Sequence, residues 1–159
     1  MPVLLHVHIR SVTVRLARLR RLAQALLMLA GEPSSEVGLS LIGDRRMRRL
    51  NYKFRGKDRT TDVLAFSMRE GRVPHASSRL TACLLGDIVI SVPAAKRQAK
   101  EAGRSLDEEL VTLLIHGLLH LCGYDHERGR AEARRMQRRE RQMRRRLGSL
   151  PRLCTRTAS

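Results

Sequence analysis

The sequence predicts an α+β fold: a single domain in which a small mixed β-sheet of about four strands packs against helices. Three observations lead there. Apolar or alternating runs of strand length recur at 3–9, 35–43, 63–68 and 84–91. Longer segments with helical spacing lie between and after them, in the order strand, helix, strand, helix, strand, strand, helices. At 159 residues, 42% apolar and without tryptophan, the chain has the size of one ordinary domain, with a core of Leu, Val, Ile, Ala and Met.

The alternating "VLLHVHI" predicts the first strand, over 3–9. "VRLARLRRLAQALLMLAG" follows, Arg-rich and then apolar, as a targeting peptide can be. Its Leu16, Leu19, Leu22, Ala23, Leu26 and Ala30 keep helical spacing, so it is read as an amphipathic core helix over 13–30, closed by "GEP". In "SEVGLSLIG" Val37, Leu39 and Leu41 alternate, which predicts a half-buried strand. Asp44 is expected to cap a short helix, "DRRMRRLNYKF", with Met47, Leu50 and Phe54 facing inward. "RGKDRTTD" reads as a polar loop. "VLAFSM" and "LLGDIVIS" read as strands, separated by the loop "REGRVPHASSRL".

"PAAKRQAKEAG" predicts a short helix with Pro93 near its start and Gly103 after its end. "SLDEELVTLLIHGLLHLCG" opens on a capping box, Ser105 with Glu108, and places Asp107, Glu108 and Glu109 at the positive helix end. Its interior is apolar nearly all round, which predicts a central buried helix bearing histidines. From Glu127 to Leu147 the chain is dense in arginine, with Met136, Met143 and Leu147 as a thin apolar stripe. The domain is expected to span 1–148, with 149–159 a disordered tail. No run reaches the roughly 18 apolar residues of a membrane span. Cys83, Cys122 and Cys154 are scattered without a CxxC, which fits a reducing cytoplasm.

The net charge of +17 draws polyanions, nucleic acid foremost. Most of the basic residues are arginine, as a GC-rich genome also produces, so charge supports an RNA reading without making one.

The chemistry is concentrated in "HGLLHLCGYDH", 116–126. Residues four apart on a helix point the same way, about 6 Å apart along the axis. His116 and His120 can therefore reach one tetrahedral cation. Gly123 offers the left-handed turn that stops the helix and returns His126 to the same point. Three histidines leave a coordination position open, the catalytic arrangement. His6, His8 and His75 lack such spacing and read as ordinary. Cys122 points away and reads as packing. Asp125 either orients a ligand or forms the turn. The spacing H-x-x-x-H-x-x-G-x-x-H also belongs to zinc peptidases, which carry a catalytic glutamate directly after the first histidine. That position is Gly117, so the peptidase base is missing. A second group, Arg55, Lys57 and Arg59 in "FRGKDRTTD", supplies cations suited to phosphate.

Together "HGLLHLCGYDH", "FRGKD" leading into "TDVLAFS", and "LGDIVIS" resemble the YbeY family of bacterial endoribonucleases, over roughly 36–147. The resemblance implies a compact, zincin-like α+β metalloprotein with one Zn²⁺ held by His116, His120 and His126, and Arg55 as the catalytic arginine. It implies cleavage of single-stranded RNA in the cytoplasm, in 16S rRNA 3′-end maturation, ribosome assembly and ribosome quality control. Implied partners are rRNA, small-subunit ribosomal components and an assembly GTPase. Ala65 and Ser67 depart from the family's pattern, and the strong basicity is unusual for it. Arg55, Lys57 and Arg59 are expected to contact RNA, and the arginine-rich helix near 128–146 to grip its phosphates. Asp62 and Asp87 read as structural, with Asp87 a possible orienter of a ligand. Two rival readings are a three-histidine zinc metallopeptidase and a non-catalytic rRNA-binding assembly factor.

Overall fold

The computed structural model describes residues 3–69 and 84–156. His75, Cys83 and nearly all of the loop 69–80 lie outside the described residues. Strands β1 (Val3–Val7), β3 (Glu36–Ile42), β5 (Leu84–Ser91) and β4 (Val63–Ser67) form one sheet in the order β1-β3-β5-β4. β1, β3 and β5 run parallel and β4 pairs antiparallel with β5, Val63 opposite Ile90 and Phe66 opposite Asp87. The mixed four-stranded sheet expected from the sequence is present.

Helices cover both faces. α1 (Leu16–Leu29), α4 (Leu106–Leu121) and α5 (Arg130–Leu147) join the larger core, in which Leu19, Leu26, Ile88, Ile90, Leu114 and Met143 are buried. The spacing Leu19, Leu22, Ala23, Leu26 that marked α1 as a core helix is its buried face. Among the described residues no helix is long and apolar enough to cross a membrane. α2 (Asp44–Arg55) covers the other face through Met47, packed with Ile42, Leu64 and Val89. α3 (Val92–Glu101) is capped by Ser91, whose Oγ accepts from the Ala94 amide at 3.3 Å.

Four expectations need correction. Gly43, not Asp44, is the N-cap of α2. The Asp44 carboxylate instead accepts from Thr60 Oγ1 (3.1 Å), Ser91 Oγ (2.8 Å) and Arg97 (2.8 Å), and Arg97 first among them holds it below the ordinary carboxylate range. Phe54 does not face inward: it is 56% exposed. The segment before α1 is a strand, β2 (Val12–Val14), rather than helix. Its antiparallel partner is β6 (Cys154–Arg156), inside the stretch expected to be disordered. Leu153 is fully buried there, and Asp107 Oδ1 accepts from the Leu153 and Cys154 amides at 3.1 and 3.0 Å.

Candidate metal centre

The centre is built by α4 and what stops it. Ser105 Oγ accepts from the Glu108 amide at 3.1 Å, and Glu108 Oε2 accepts from the Ser105 amide at 2.7 Å, so the capping box closes in both directions. Leu110, Leu113, Leu114, Ile115, Leu118 and Leu121 are buried, which fixes the roll of the helix. His116 and His120 then share one face, half-buried. At the other end the Gly123 amide donates to the His120 carbonyl and the Tyr124 amide to the Leu119 carbonyl, both at 3.0 Å. Gly123 sits at φ +96, where glycine is at home. This pair of bonds satisfies the last helix carbonyls and reverses the chain. Asp125 Oδ1 accepts from the Glu127 amide at 2.9 Å and starts the 3-10 turn His126–Arg128. Asp125 therefore forms the turn, and that amide first of all lowers its carboxyl pKa.

The outcome is convergence. One ligand nitrogen from each of His116, His120 and His126 lies within 4.8 Å of the others, and the group could hold a metal ion. His116 Nε2 and His120 Nε2 are 3.1 Å apart. Two nitrogens bound tetrahedrally at ~2.1 Å lie about 3.4 Å apart, so this pair fits a zinc-sized ion. Burial first, then the neighbouring His116 and His126, push the His120 pKa down, which favours the neutral imidazole a metal requires. Behind His116, Glu140 Oε1 lies 2.6 Å from Nδ1. A carboxylate there holds the Nδ1–H tautomer and leaves Nε2 free toward the centre.

A cleft of about 550 Å³ opens on this centre at the β4 edge of the sheet. Arg55 lines it, as do Asp62, Asp125 and Glu127. Arg55 reaches Glu127 Oε1 at 3.5 Å. Lys57 and Arg59, grouped with Arg55 in the sequence, are exposed and do not line the cleft. The Arg59 carbonyl accepts from buried Asn51 (2.8 Å), and Asp58 between them pairs with Arg48 (2.8 Å). Asp62 Oδ1 accepts from the Val63 amide at 2.9 Å, a structural bond. Asp87 alternates onto the face of Val89, away from α4, and does not reach the histidines. His6 and His8 stack on each other, 6.5 Å between ring centres, at β1, the far edge of the sheet. Cys122 packs against the core, and burial pushes its thiol up to about 11.

Gly117 has a second role. A Cβ built on it lies 2.9 Å from Ile88 Cγ2 and 3.3 Å from Cγ1, so α4 rests on β5 without room for a side chain. The peptidase glutamate is absent and has no space here.

Sequence reasoning missed the part played by four residues. Glu140 lies 24 residues from His116, inside a run of arginines; being the sole acid between 133 and 147 was the available signal. Glu127 became visible only once the 3-10 turn faced Arg55. Phe54 and Phe66, both phenylalanines of the chain, meet edge-to-face at 5.0 Å in the cleft wall.

Known proteins are similar to this chain over most of its length. The family model for Endoribonuclease YbeY matches residues 6–148. The chain is 45% identical over 127 residues to Endoribonuclease YbeY of Geobacter metallireducens, covering 79% of this chain and 82% of that protein. It is 38% identical over 129 residues to Endoribonuclease YbeY of Aquifex aeolicus, covering 81% of each. The solution structure of TM1509 from Thermotoga maritima is similar in fold, with a TM-score of 0.60 and 26% identity, covering 89% of this chain and 85% of that one.

Proposed function

The chain belongs to the Endoribonuclease YbeY family, and from that premise we propose that it is a zinc-dependent endoribonuclease cutting single-stranded RNA, with ribosomal RNA as its cytoplasmic substrate. The observation supporting this most strongly is three converging imidazoles in one cleft with Arg55 and with no glutamate at 117. His116, His120 and His126 would hold the ion. A bound divalent ion supplies Lewis acidity toward a phosphate oxygen. Arg55 bonds the non-bridging oxygens of the scissile phosphate as negative charge grows on them, exchanging Glu127 for the substrate. Glu140 keeps His116 in the required tautomer. Phe54, exposed at the cleft mouth, offers its ring to an unpaired base, which a duplex does not present.

The test is cleavage of an end-labelled single-stranded RNA with metal analysis of the same samples. Wild type cuts; His116→Ala loses metal and cutting together. Arg55→Ala keeps its metal and cuts about 100- to 1,000-fold more slowly. Cleavage by Arg55→Ala at the wild-type rate refutes the assignment and points to a contaminating nuclease. Casein digestion that disappears in His120→Ala would restore the peptidase reading.

A further inference from the structure

Beside the cleft runs a larger groove of about 890 Å³ between α4 and α5, floored by Thr112 and Ile115 and walled by arginines. The arginines fall into two sets. Arg104, Arg135, Arg139 and Arg144 are committed to the protein. Arg104 pairs with Glu109 at 2.8 Å, and Arg135 stacks over the Tyr124 ring at 4.9 Å. Arg139 donates to the Leu29 carbonyl at 2.7 Å and bonds Gln142, and Arg144 donates to Thr112 Oγ1 at 2.6 Å. Arg138, Arg141 and Arg145 are exposed and have no ion-pair partner among the described residues. Spaced three and four apart, they share one face of α5 and span about 10 Å along it. Glu140 is the one carboxylate among the residues lining the groove, and its Oε1 is taken by His116. Three guanidinium groups without an ion-pair partner among the described residues thus line a groove whose one carboxylate, Glu140, is hydrogen-bonded to His116.

The groove adjoins the cleft at two places. Glu140 lines the groove while its partner His116 lines the cleft, and Tyr124 lines the groove while Asp125 and His126 line the cleft. We infer that the α4–α5 groove is a second RNA-binding surface, in which Arg138, Arg141 and Arg145 hold the phosphates of the strand flanking the cleaved bond. This rests on the nuclease reading and extends it from the scissile phosphate to a longer single strand. Guanidinium groups match phosphate oxygens bidentately, and the Arg135–Tyr124 stack adds planar surface that accepts a base. An acidic protein segment meets the charge but not the stack.

The measurement is fluorescence anisotropy of a labelled, 2′-O-methylated single-stranded dodecamer, titrated at salt from about 50 to about 200 mM. Wild type is compared with the triple variant Arg138→Gln, Arg141→Gln, Arg145→Gln. Each phosphate contact on a single strand contributes about 0.7 to the slope of log affinity against log salt, so losing three flattens that slope by about 2. Cleavage of an unmodified dodecamer by the triple variant falls at least tenfold, while a trinucleotide confined to the cleft is cut at the wild-type rate. The triple lysine variant keeps the slope, which separates charge from folding. An unchanged slope in the glutamine variant overturns the groove even where wild type cuts RNA normally. An unchanged slope with weakened poly-glutamate binding overturns it in favour of a protein-docking surface. A wild-type protein that neither binds nor cuts RNA overturns the nuclease reading, and the groove with it.

Discussion

Gly117→Ala sets a helix-propensity gain against a packing collision, and the structure decides the sign. In an exposed helix the change stabilises by up to about 1 kcal/mol, because alanine loses less backbone freedom on folding. Here the new Cβ meets Ile88 Cγ2 at 2.9 Å, Cγ1 at 3.3 Å and Cδ1 at 3.4 Å. Carbon pairs rest at about 3.5–4.0 Å, so α4 or Ile88 has to give way. Ile88 is β-branched, stiff at χ1 and 1% exposed in the centre of the sheet. Overpacking of this kind costs about 1–3 kcal/mol. The net expectation is a loss of about 1 kcal/mol, read as a lower urea midpoint at unchanged slope. A double-mutant cycle isolates the cause. Ile88→Ala removes the crowding γ carbons, so the two substitutions together cost about 1 kcal/mol or more less than their sum. Ile88→Val keeps both γ carbons and rescues much less. A Gly117→Ala protein more stable than wild type, with no coupling to Ile88, would show that the helix-to-sheet contact is slack and that glycine is not required there.

Three further outcomes follow from named contacts. Glu140→Gln and Glu140→Ala are expected to weaken zinc binding about 10- to 100-fold in chelator competition, with far-ultraviolet dichroism unchanged; wild-type affinity in both removes the orienting role. Leu153→Ala should cost about 2–5 kcal/mol in urea unfolding, because the side chain is fully buried beneath the β2–β6 pair. A loss under about 0.5 kcal/mol is what surface substitutions give and would mean that the tail does not dock. The His120 pKa lies below its ordinary value, so the unfolded chain takes up a proton before the folded one does. The stability of the metal-free protein is therefore complete above about pH 6.5 and declines as pH falls through the folded pKa, a decline that His120→Gln flattens.

How much of this was legible in the sequence depends on the range of the contact. The capping box of α4, the glycine that ends it and the face of α1 were readable because each is settled within about one or two helical turns. The three-histidine centre was readable for the same reason, spanning only 116–126. The pairing of Val12–Val14 with Cys154–Arg156 was not, since three-residue strands joined across nearly the whole chain leave no periodicity. Asp44 follows a local rule for caps, but Thr60, Ser91 and Arg97 reach it from three later segments and outcompete that rule. Phe54 was placed inward by helical spacing, but it touches the sheet only at its edge, against Phe66 of β4, and stays exposed in the cleft wall.

A chain of net charge +17 whose three converging histidines could hold a metal ion faces opposing demands. Arginines within a Debye length of about 8–10 Å raise the potential at the ion and weaken its binding. The fold separates the two by position. Among the described residues, the cleft is lined by Asp62, Asp125 and Glu127 against a single arginine, and Glu140 stands directly behind His116. The unpaired guanidinium groups of α5 lie on the other side of the His116–Glu140 pair. Negative charge thus lines the cleft of the three histidines, and the unpaired positive charge lines the neighbouring groove. Arg55 alone crosses from one to the other, and Glu127, 3.5 Å away, is its partner until a phosphate arrives. Removing Glu127 therefore frees Arg55 for phosphate while stripping one carboxylate from the cation site, so Glu127→Gln tightens RNA and loosens zinc in the same protein. Movement of both affinities in one direction would show that the two charges do not oppose each other across this cleft.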